Sequence, residues 1–376
     1  MKRKKIYFEN LNGLRFLCFL SVFFFHSFYH DDSSFDGNET LTFIERNIFG
    51  NGNLGVNFFF VLSGFLITYL LIEERKLIGK IDIKNFWLRR ILRIWPLYFV
   101  CVAIGFVGFP ILKQLLGQTS NETASLFSFL TFTSNFDIFK SGLPDASILG
   151  VLWSIGVEEQ FYLIWPIILS LFPVKRYWIP FSLILISSLL YRHFNDSYLA
   201  HEYHTLSCIG DMTIGAFAAW GIIQFTSFKK YVIDLNKISI VLIYISFIVI
   251  YAYRHELLMQ SHIVRIFERI IIAVVIVFII LEQNYSNNSF VKMSRFKNIS
   301  KLGEITYGLY SLHFIGILIA IKITNRIFEQ EQLWHIVIID TVLAFVFSLI
   351  IAKISYAFFE KPFLKLKEKF SYFKMK

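Results

Sequence analysis

The chain has 376 residues, of which 56% are hydrophobic and 17% are charged, and its formal net charge is +10. Because soluble globular chains carry about 25% charged residues, this composition excludes an assembly of soluble domains and indicates a membrane protein. With three cysteines the chain has no disulfide framework, and its Lys and Arg fall in short clusters between apolar runs, which favours an orientation signal over nucleic-acid binding.

The apolar runs predict an all-α fold, a polytopic bundle of about ten transmembrane helices. A membrane core about 30 Å thick is crossed by roughly 20 helical residues. Runs of about this length lie near 8–29, 48–72, 86–109, 147–172, 178–192, 205–225, 238–253, 263–282, 304–324 and 333–358. Since no internal repeat is visible, we expect one transmembrane domain over 1–360 and a basic cytoplasmic tail over 361–376.

The basic clusters predict the orientation of these helices. MKRKK, KNFWLRRILR, PVKR, FKK and the C-terminal EKPFLKLKEKFSYFKMK all fall on one side of the predicted bundle. Because cytoplasmic loops are enriched in Lys and Arg, both termini and residues 73–85 are expected in the cytoplasm. The acidic residues 31–46 are expected outside.

The first span contains two ionisable side chains. A charge within a span costs a few kcal/mol, so each one is a candidate functional residue. Arg15 and His26 are eleven residues apart, about three helical turns, and therefore share one face. The alternatives are a structural bridge or a snorkelling side chain for Arg15 and an interfacial imidazole for His26.

The second and third spans carry small and basic residues. Gly55, Ser63 and Gly64 permit either close helix packing or a local break in the helix. Arg90 and Arg93 share a face at the cytoplasmic end of the third span. They act either as positive-inside anchors or as a fork of guanidinium groups for the phosphates of a cytoplasmic cofactor.

The fourth span, LWSIGVEEQFYLIWP, places Ser154 and Glu158 on one face at the predicted depth of His26. A carboxylate near an imidazole can hold its tautomer and stabilise the imidazolium. Glu159 is expected to face the lipid headgroups.

The sixth and ninth spans carry further histidines. His201, His204, Cys208 and Asp211 lack the spacing of zinc ligands, so we expect no metal. In the ninth span, Tyr310 and His313 share a face, where a helix–helix hydrogen bond is the simplest interpretation.

Together these segments resemble the acyltransferase-3 family of integral membrane acyltransferases over nearly the whole chain. The matching motifs, in the family's order, are LNGLRFLCFLSVFFFH, GVNFFFVLSGFLIT, the Arg-x-x-Arg of Arg90 and Arg93, WSIGVEEQFYLIWP, YGLYSLH and FEKPF. Asn12 stands where the family commonly has Asp, and Cys208 stands near a position that is often Arg.

The resemblance implies an enzyme that moves an acyl group from cytoplasmic acyl-CoA to a hydroxyl of a cell-surface or lipid-linked glycan. The acyl group is expected to be acetyl. Arg90 and Arg93 would hold the donor phosphates, and His26 would act as general base or as an acylated nucleophile. Glu158 would orient His26, and Arg15 completes the implied catalytic set. Supporting roles fall to Ser63, Ser154, Tyr310 and His313. The implied partners are a glycan or glycolipid acceptor and membrane lipid, without nucleic acid or metal, in a bacterial plasma (inner) membrane.

A transporter is the alternative from a different class. In it Arg15, His26 and Glu158 would line a proton or anion path without covalent chemistry. The missing internal repeat counts against this interpretation.

Overall fold

The computed structural model describes residues 4–27, 47, 49–328 and 335–374, and these residues are mostly helical. Helices are expected of so apolar a chain, because a backbone in lipid must satisfy its own hydrogen bonds. The α-helices are α1 (Glu9–Ser27), α2 (Leu54–Ile78), α3 (Ile83–Ala103), α4 (Phe109–Leu115), α5 (Leu126–Leu130), α6 (Ser134–Ser141), α7 (Ser147–Gly150), α8 (Leu152–Leu171), α9 (Trp178–Phe194), α10 (Tyr198–Tyr203), α11 (Thr205–Gln224), α12 (Thr226–Ile233), α13 (Lys237–Arg254), α14 (His262–Tyr285), α15 (Lys297–Leu302), α16 (Thr306–Ile327), α17 (Thr341–Ile354) and α18 (Lys361–Lys367).

Shorter elements connect or extend these helices. The π-helical segments are Ile104–Gly108, His255–Met259, His335–Asp340 and Ser355–Glu360, and the 3₁₀ segments are Val174–Arg176, Met293–Arg295, Gly303–Ile305 and Glu368–Phe370. Two-residue strands, β1 (Lys4–Lys5) and β2 (Phe373–Lys374), pair in parallel. The predicted all-α, polytopic fold class is confirmed.

Six helical stretches in the described part of the chain are long and apolar enough to cross a membrane. They are Leu54–Ile78, Ile83–Leu115, Thr205–Gln224, Lys237–Met259, Lys297–Ile327 and Val337–Phe370. The pair Ser147–Leu171 and Val174–Phe194 passes the same test only together and is bent by 114°. Ten spans therefore stay a prediction, as does the cytoplasmic position of the termini. The predicted outside loop, 31–46, lies outside the described residues, and so do parts of the first and last predicted spans.

Helices α2 and α11 cross at two glycines. A Cβ atom on Gly64 would collide with the backbone of Met212, and one on Gly215 would collide with the backbone of Val61. Helix α2 is continuous through Gly64. Of the two interpretations of these small residues, close packing is therefore correct at Gly64, and a break in the helix is not.

Residues 109–146, which follow the third predicted span, fold back onto the bundle. The Tyr98 hydroxyl on α3 donates to the carbonyl oxygen of Phe129 at 2.8 Å, and the Gln160 side chain on α8 donates to that of Phe132. Within this segment the hydrogen bond and charge of Lys113 hold the pKa of Asp145 below its ordinary value. The connection is therefore a packed cap.

The last helix continues from His335 to Phe370 through α17, a π-helical segment and α18. The chain after it returns to the N-terminus, where β2 pairs with β1. Residues 361–374, expected as a basic tail, are thus largely helical and packed against the start of α3, where Arg89 donates to the carbonyl oxygen of Phe370 at 2.8 Å.

Candidate active site

One cavity of about 380 Å³ lies between helices α1, α2, α3, α8, α16 and α18. Polar and charged side chains from segments far apart in the chain meet there. They include Tyr7, Asn12, Arg15, Ser63, Arg90, Arg93, Ser154, Glu158, Tyr162, Glu304, Tyr307, Tyr310, Tyr356, Glu360, Lys367 and Glu368. The lining contains four acidic residues, Glu158, Glu304, Glu360 and Glu368, and four basic ones, Arg15, Arg90, Arg93 and Lys367. We call it the cationic cavity after the basic group.

The three arginines of the cationic cavity differ in their partners. Arg15 donates to the side-chain oxygen of Asn12 at 2.9 Å. Arg90 lies 5.5 Å from the ring centroids of both Phe86 and Tyr162, and its Nε is buried without a hydrogen-bond partner. Arg93 makes no hydrogen bond or ion pair with a described residue. Guanidinium donors are therefore available for an anion.

The neutral side chain of Asn12 affects the net charge around Arg15. Where the family commonly has Asp, Asn12 gives Arg15 a hydrogen-bond acceptor without a negative charge. The cavity consequently carries one negative charge fewer at this position than an Asp would give it.

Glu158 faces the same cavity from α8. The Ser63 hydroxyl donates to its carboxylate at 2.6 Å and lies 2.9 Å from the Tyr162 hydroxyl. The carboxylate is close enough to Arg15 for electrostatic attraction. Its neighbours are thus Ser63 and the arginines, whereas the sequence predicted His26.

The other wall of the cavity contains Ser154 and Tyr310. Their hydroxyl oxygens lie 2.6 Å apart, linking α8 to α16. Both residues were predicted as supporting residues, and both line the cavity.

His26 pairs with His313. Nδ1 of His26 lies 2.9 Å from Nε2 of His313, and the two rings stack with centroids 5.1 Å apart. Nδ1 of His313 lies 2.7 Å from the carbonyl oxygen of Tyr310. The pair does not line the cavity, but Tyr310 belongs to both, since its hydroxyl reaches Ser154 and its carbonyl reaches His313.

The expected exposure of Glu159 to the headgroups is wrong. Its carboxylate is buried and accepts from the Trp95 indole at 2.8 Å. The helical angle between Glu158 and Glu159 was correct, but α3 covers the second face as well.

The histidines at the start of the sixth predicted span have structural contacts. Nε2 of His201 lies 3.0 Å from the carbonyl oxygen of Arg192, and the His204 ring accepts from the backbone amide of Leu206. Asp211 accepts from Arg269 at 2.7 Å. Within the described ranges no group of His, Cys, Asp or Glu is arranged to hold a metal ion.

The sequence interpretation missed a buried ionic network behind α11. Glu268 receives Arg254 at 2.6 Å and Arg192 at 3.0 Å. Two of its members, Glu268 and Arg269, lie inside the predicted span near 263–282, so the cost of intramembrane charge was the signal that could have identified them. Lys367 and Tyr162, which line the cavity, were also missed.

This fold and this cavity define an integral membrane protein with a polar cavity inside its helical bundle. A family model described as an acyltransferase domain matches residues 8–353, and the chain therefore belongs to the acyltransferase-3 family. The resemblance drawn from the motifs is confirmed.

Two curated relatives are named as O-acetyltransferases. The chain is 27% identical to peptidoglycan O-acetyltransferase OatA of Listeria monocytogenes and 27% identical to O-acetyltransferase OatA of Staphylococcus aureus. Each match covers 96% of this chain, but 56% of the Listeria protein and 57% of the Staphylococcus protein. The chain thus spans little more than half the length of these relatives. No solved structure matches the chain significantly.

Proposed function

We propose that the protein is a membrane O-acetyltransferase that moves an acetyl group from cytoplasmic acetyl-CoA to a hydroxyl of a cell-surface glycan. The observation that carries the proposal is the cationic cavity, where two guanidinium groups lack full hydrogen-bond partners beside a polar wall that leads to the His26–His313 pair. Peptidoglycan is the first acceptor to test, because the name of the Listeria relative contains it. Family membership also disfavours a transporter without covalent chemistry.

The arginines supply the donor side of this proposal. Acyl-CoA carries several phosphate groups, and guanidinium groups bind phosphate through charge-assisted, often bidentate hydrogen bonds. Arg90 and Arg93 would hold these phosphates, with Arg15 behind them. Glu158 would offset part of the positive charge and, through Ser63, fix one side of the cavity.

The hydrogen-bond chain at His26 leaves one ring nitrogen free to act as general base or as nucleophile. A carbonyl oxygen only accepts, so the contact with Tyr310 places the proton of neutral His313 on Nδ1. Nε2 of His313 then accepts from Nδ1 of His26, which leaves Nε2 of His26 unprotonated. That nitrogen is the one available to take a proton.

In the proposed reaction, His26 assists transfer of the acetyl group from the thioester to the acceptor hydroxyl. Nε2 of His26 takes the proton of the acceptor hydroxyl as its oxygen attacks the thioester carbonyl carbon. When the tetrahedral intermediate collapses, the C–S bond breaks, and the imidazolium returns its proton to the leaving thiolate. In the relay variant, Nε2 attacks the thioester carbonyl carbon, the C–S bond breaks, and CoA leaves as the thiolate. The acceptor oxygen then attacks the acetyl-imidazole, the N–C bond breaks, and the hydroxyl proton passes through the freed Nε2 to the thiolate. Both variants require His26.

Transfer of labelled acetyl groups in membrane vesicles tests the proposal. The comparison uses wild-type protein and His26→Ala at matched membrane abundance, with His193→Ala, a change of an exposed histidine, as the control. General acid–base help contributes about 100-fold to 10,000-fold, so we expect His26→Ala to lose activity on that scale. Mass analysis of the surface glycans identifies the acceptor. A His26→Ala protein that keeps most of its transfer would contradict the mechanism.

A further inference from the structure

The last helix is too long for the membrane alone. Its apolar stretch and extension, Val337–Phe370, form a helix of 34 residues, or roughly 50 Å at 1.5 Å per residue. Since the membrane core measures about 30 Å, this helix exceeds the core by roughly 20 Å, and α18 forms its C-terminal part.

Two contacts at its C-terminal end fix this segment in place. Arg89 donates to the carbonyl oxygen of Phe370 at 2.8 Å, and the Tyr372 hydroxyl donates to Asp82 at 2.7 Å. Partial burial opposes ionisation of Asp82, but hydrogen bonds from Tyr372 and Asn85 hold its pKa below the ordinary value. The C-terminal segment is therefore anchored to the start of α3.

One lysine of this segment differs from its neighbours. Lys367 is half-buried and lines the cationic cavity, whereas Lys361, Lys365 and Lys369 are exposed. It makes no hydrogen bond or ion pair with any residue that the structure describes. It lies near enough to Arg90 and Arg93 for electrostatic repulsion.

Acidic side chains in the cavity offset part of this charge, since Glu368 attracts Lys367, and Glu158 and Glu360 attract Arg93. Glu158 accepts from Ser63, and Glu360 accepts from Ser355. Three cations that converge in a partly enclosed space raise the free energy of the empty site, because their repulsion is weakly screened there. A bound polyanion would remove that cost.

We propose that Lys367 is a further donor-binding residue, which contacts a phosphate group of CoA, and that α18 forms the cytoplasmic wall of the donor site. This inference rests on the function proposed above and adds to it a segment that the sequence assigned to a tail. The same chemistry would recognise the phosphate of an anionic lipid headgroup, so the experiment must separate the two sources.

The test measures binding of CoA and dephospho-CoA to the purified full-length protein in a neutral detergent. Lys367→Ala is compared with Lys365→Ala, which removes an exposed lysine from the same helix. A lost charge-assisted contact is worth about 1.5–3 kcal/mol, so we expect a dissociation constant about tenfold to a hundredfold higher for Lys367→Ala and little change for Lys365→Ala. Lys367→Arg should keep most of the affinity. Thermal unfolding verifies that each variant is folded.

Dephospho-CoA, which lacks the 3′-phosphate, identifies the group that Lys367 contacts. If wild-type protein prefers CoA and Lys367→Ala removes the preference, the contact is to the 3′-phosphate. If Lys367→Ala weakens both ligands equally, the contact is to the diphosphate. Either result supports the inference.

Two other outcomes overturn it. If Lys367→Ala binds CoA like wild-type protein, the inference is wrong, and loss of phosphatidylglycerol binding in the same variant would identify a lipid site instead. If wild-type protein neither binds acetyl-CoA nor transfers acetyl groups, the proposed function fails first and the inference fails with it.

Discussion

Arg93 illustrates how a single residue can be assigned to ligand binding. It is half-buried in the cationic cavity and makes no hydrogen bond or ion pair with a described residue, although Glu158 and Glu360 attract it electrostatically. A charge without direct protein contacts contributes little to folding, so its removal should mainly affect the ligand.

We expect Arg93→Ala to raise the KM for acetyl-CoA about tenfold to a hundredfold, because a charge-assisted phosphate contact is lost, while thermal stability changes little. Arg93→Lys should restore only part of the affinity, since an ammonium group cannot bind bidentately. Lys84→Ala, which changes an exposed lysine of the same helix, is the control. An unchanged KM in folded Arg93→Ala protein would show that Arg93 does not bind the donor and would favour its alternative role as a positive-inside anchor.

His313 provides a second prediction, because we assign to it the orientation of His26. His313→Ala removes the acceptor at Nδ1 of His26 and should lower kcat at least about tenfold, since the catalytic tautomer is no longer held. The KM for acetyl-CoA should hardly change, because His313 does not line the cavity.

His313→Gln separates orientation from packing. A glutamine amide oxygen can accept from Nδ1 of His26, so this variant should regain part of the kcat that His313→Ala loses. Steady-state kinetics at matched abundance decide the matter. Equal losses of kcat in both variants would show that His313 has a packing role only.

At the scale of elements, the crossing of α2 and α11 depends on two glycines. We expect Gly64→Ala to destabilise the protein by about 1–3 kcal/mol or more, because the added methyl group meets backbone rather than a movable side chain. Gly150→Ala is the matched control, since a Cβ there meets nothing within 4 Å. Thermal unfolding in detergent measures both. Equal stability of the two variants would show that the helices can separate at no cost.

The sequence predicted which residues share a face of one helix better than it predicted which residues of other helices contact that face. Apolar periodicity placed Ser154 and Glu158 on one face, and both line the cavity. It could not show that His26 meets His313, because those residues are 287 positions apart and several polar faces compete for each place in a bundle. Glu158 was the available carboxylate at the estimated depth, but in the structure it accepts a hydrogen bond from Ser63.

The C-terminal segment, predicted as a basic cytoplasmic tail, has one contact that its composition does not reveal. Its density of lysines is typical of a solvated cytoplasmic tail, and most of those side chains are indeed exposed. The continuation of the last helix through α18 turns one of them, Lys367, into the cavity. Composition reports the average exposure of a segment, whereas this contact depends on the helical phase of a single residue.

At the scale of the whole molecule, the proposed reaction needs a defined orientation in the membrane. The cationic cavity is lined by α3 and by the C-terminal segment, so the proposal requires that this end of the bundle faces a cytoplasmic donor. The distribution of Lys and Arg predicts this orientation.

Cysteine labelling of intact cells tests the orientation directly. The native cysteines Cys18, Cys101 and Cys208 are all buried, so background labelling should be low. Lys80→Cys places an exposed thiol between α2 and α3, and Gln118→Cys places one in the packed cap on the opposite side. An impermeant maleimide should label Gln118→Cys in intact cells and Lys80→Cys only after the membrane is opened. The reverse pattern would put the arginines outside, where no acetyl-CoA is available, and the donor site would have to be abandoned.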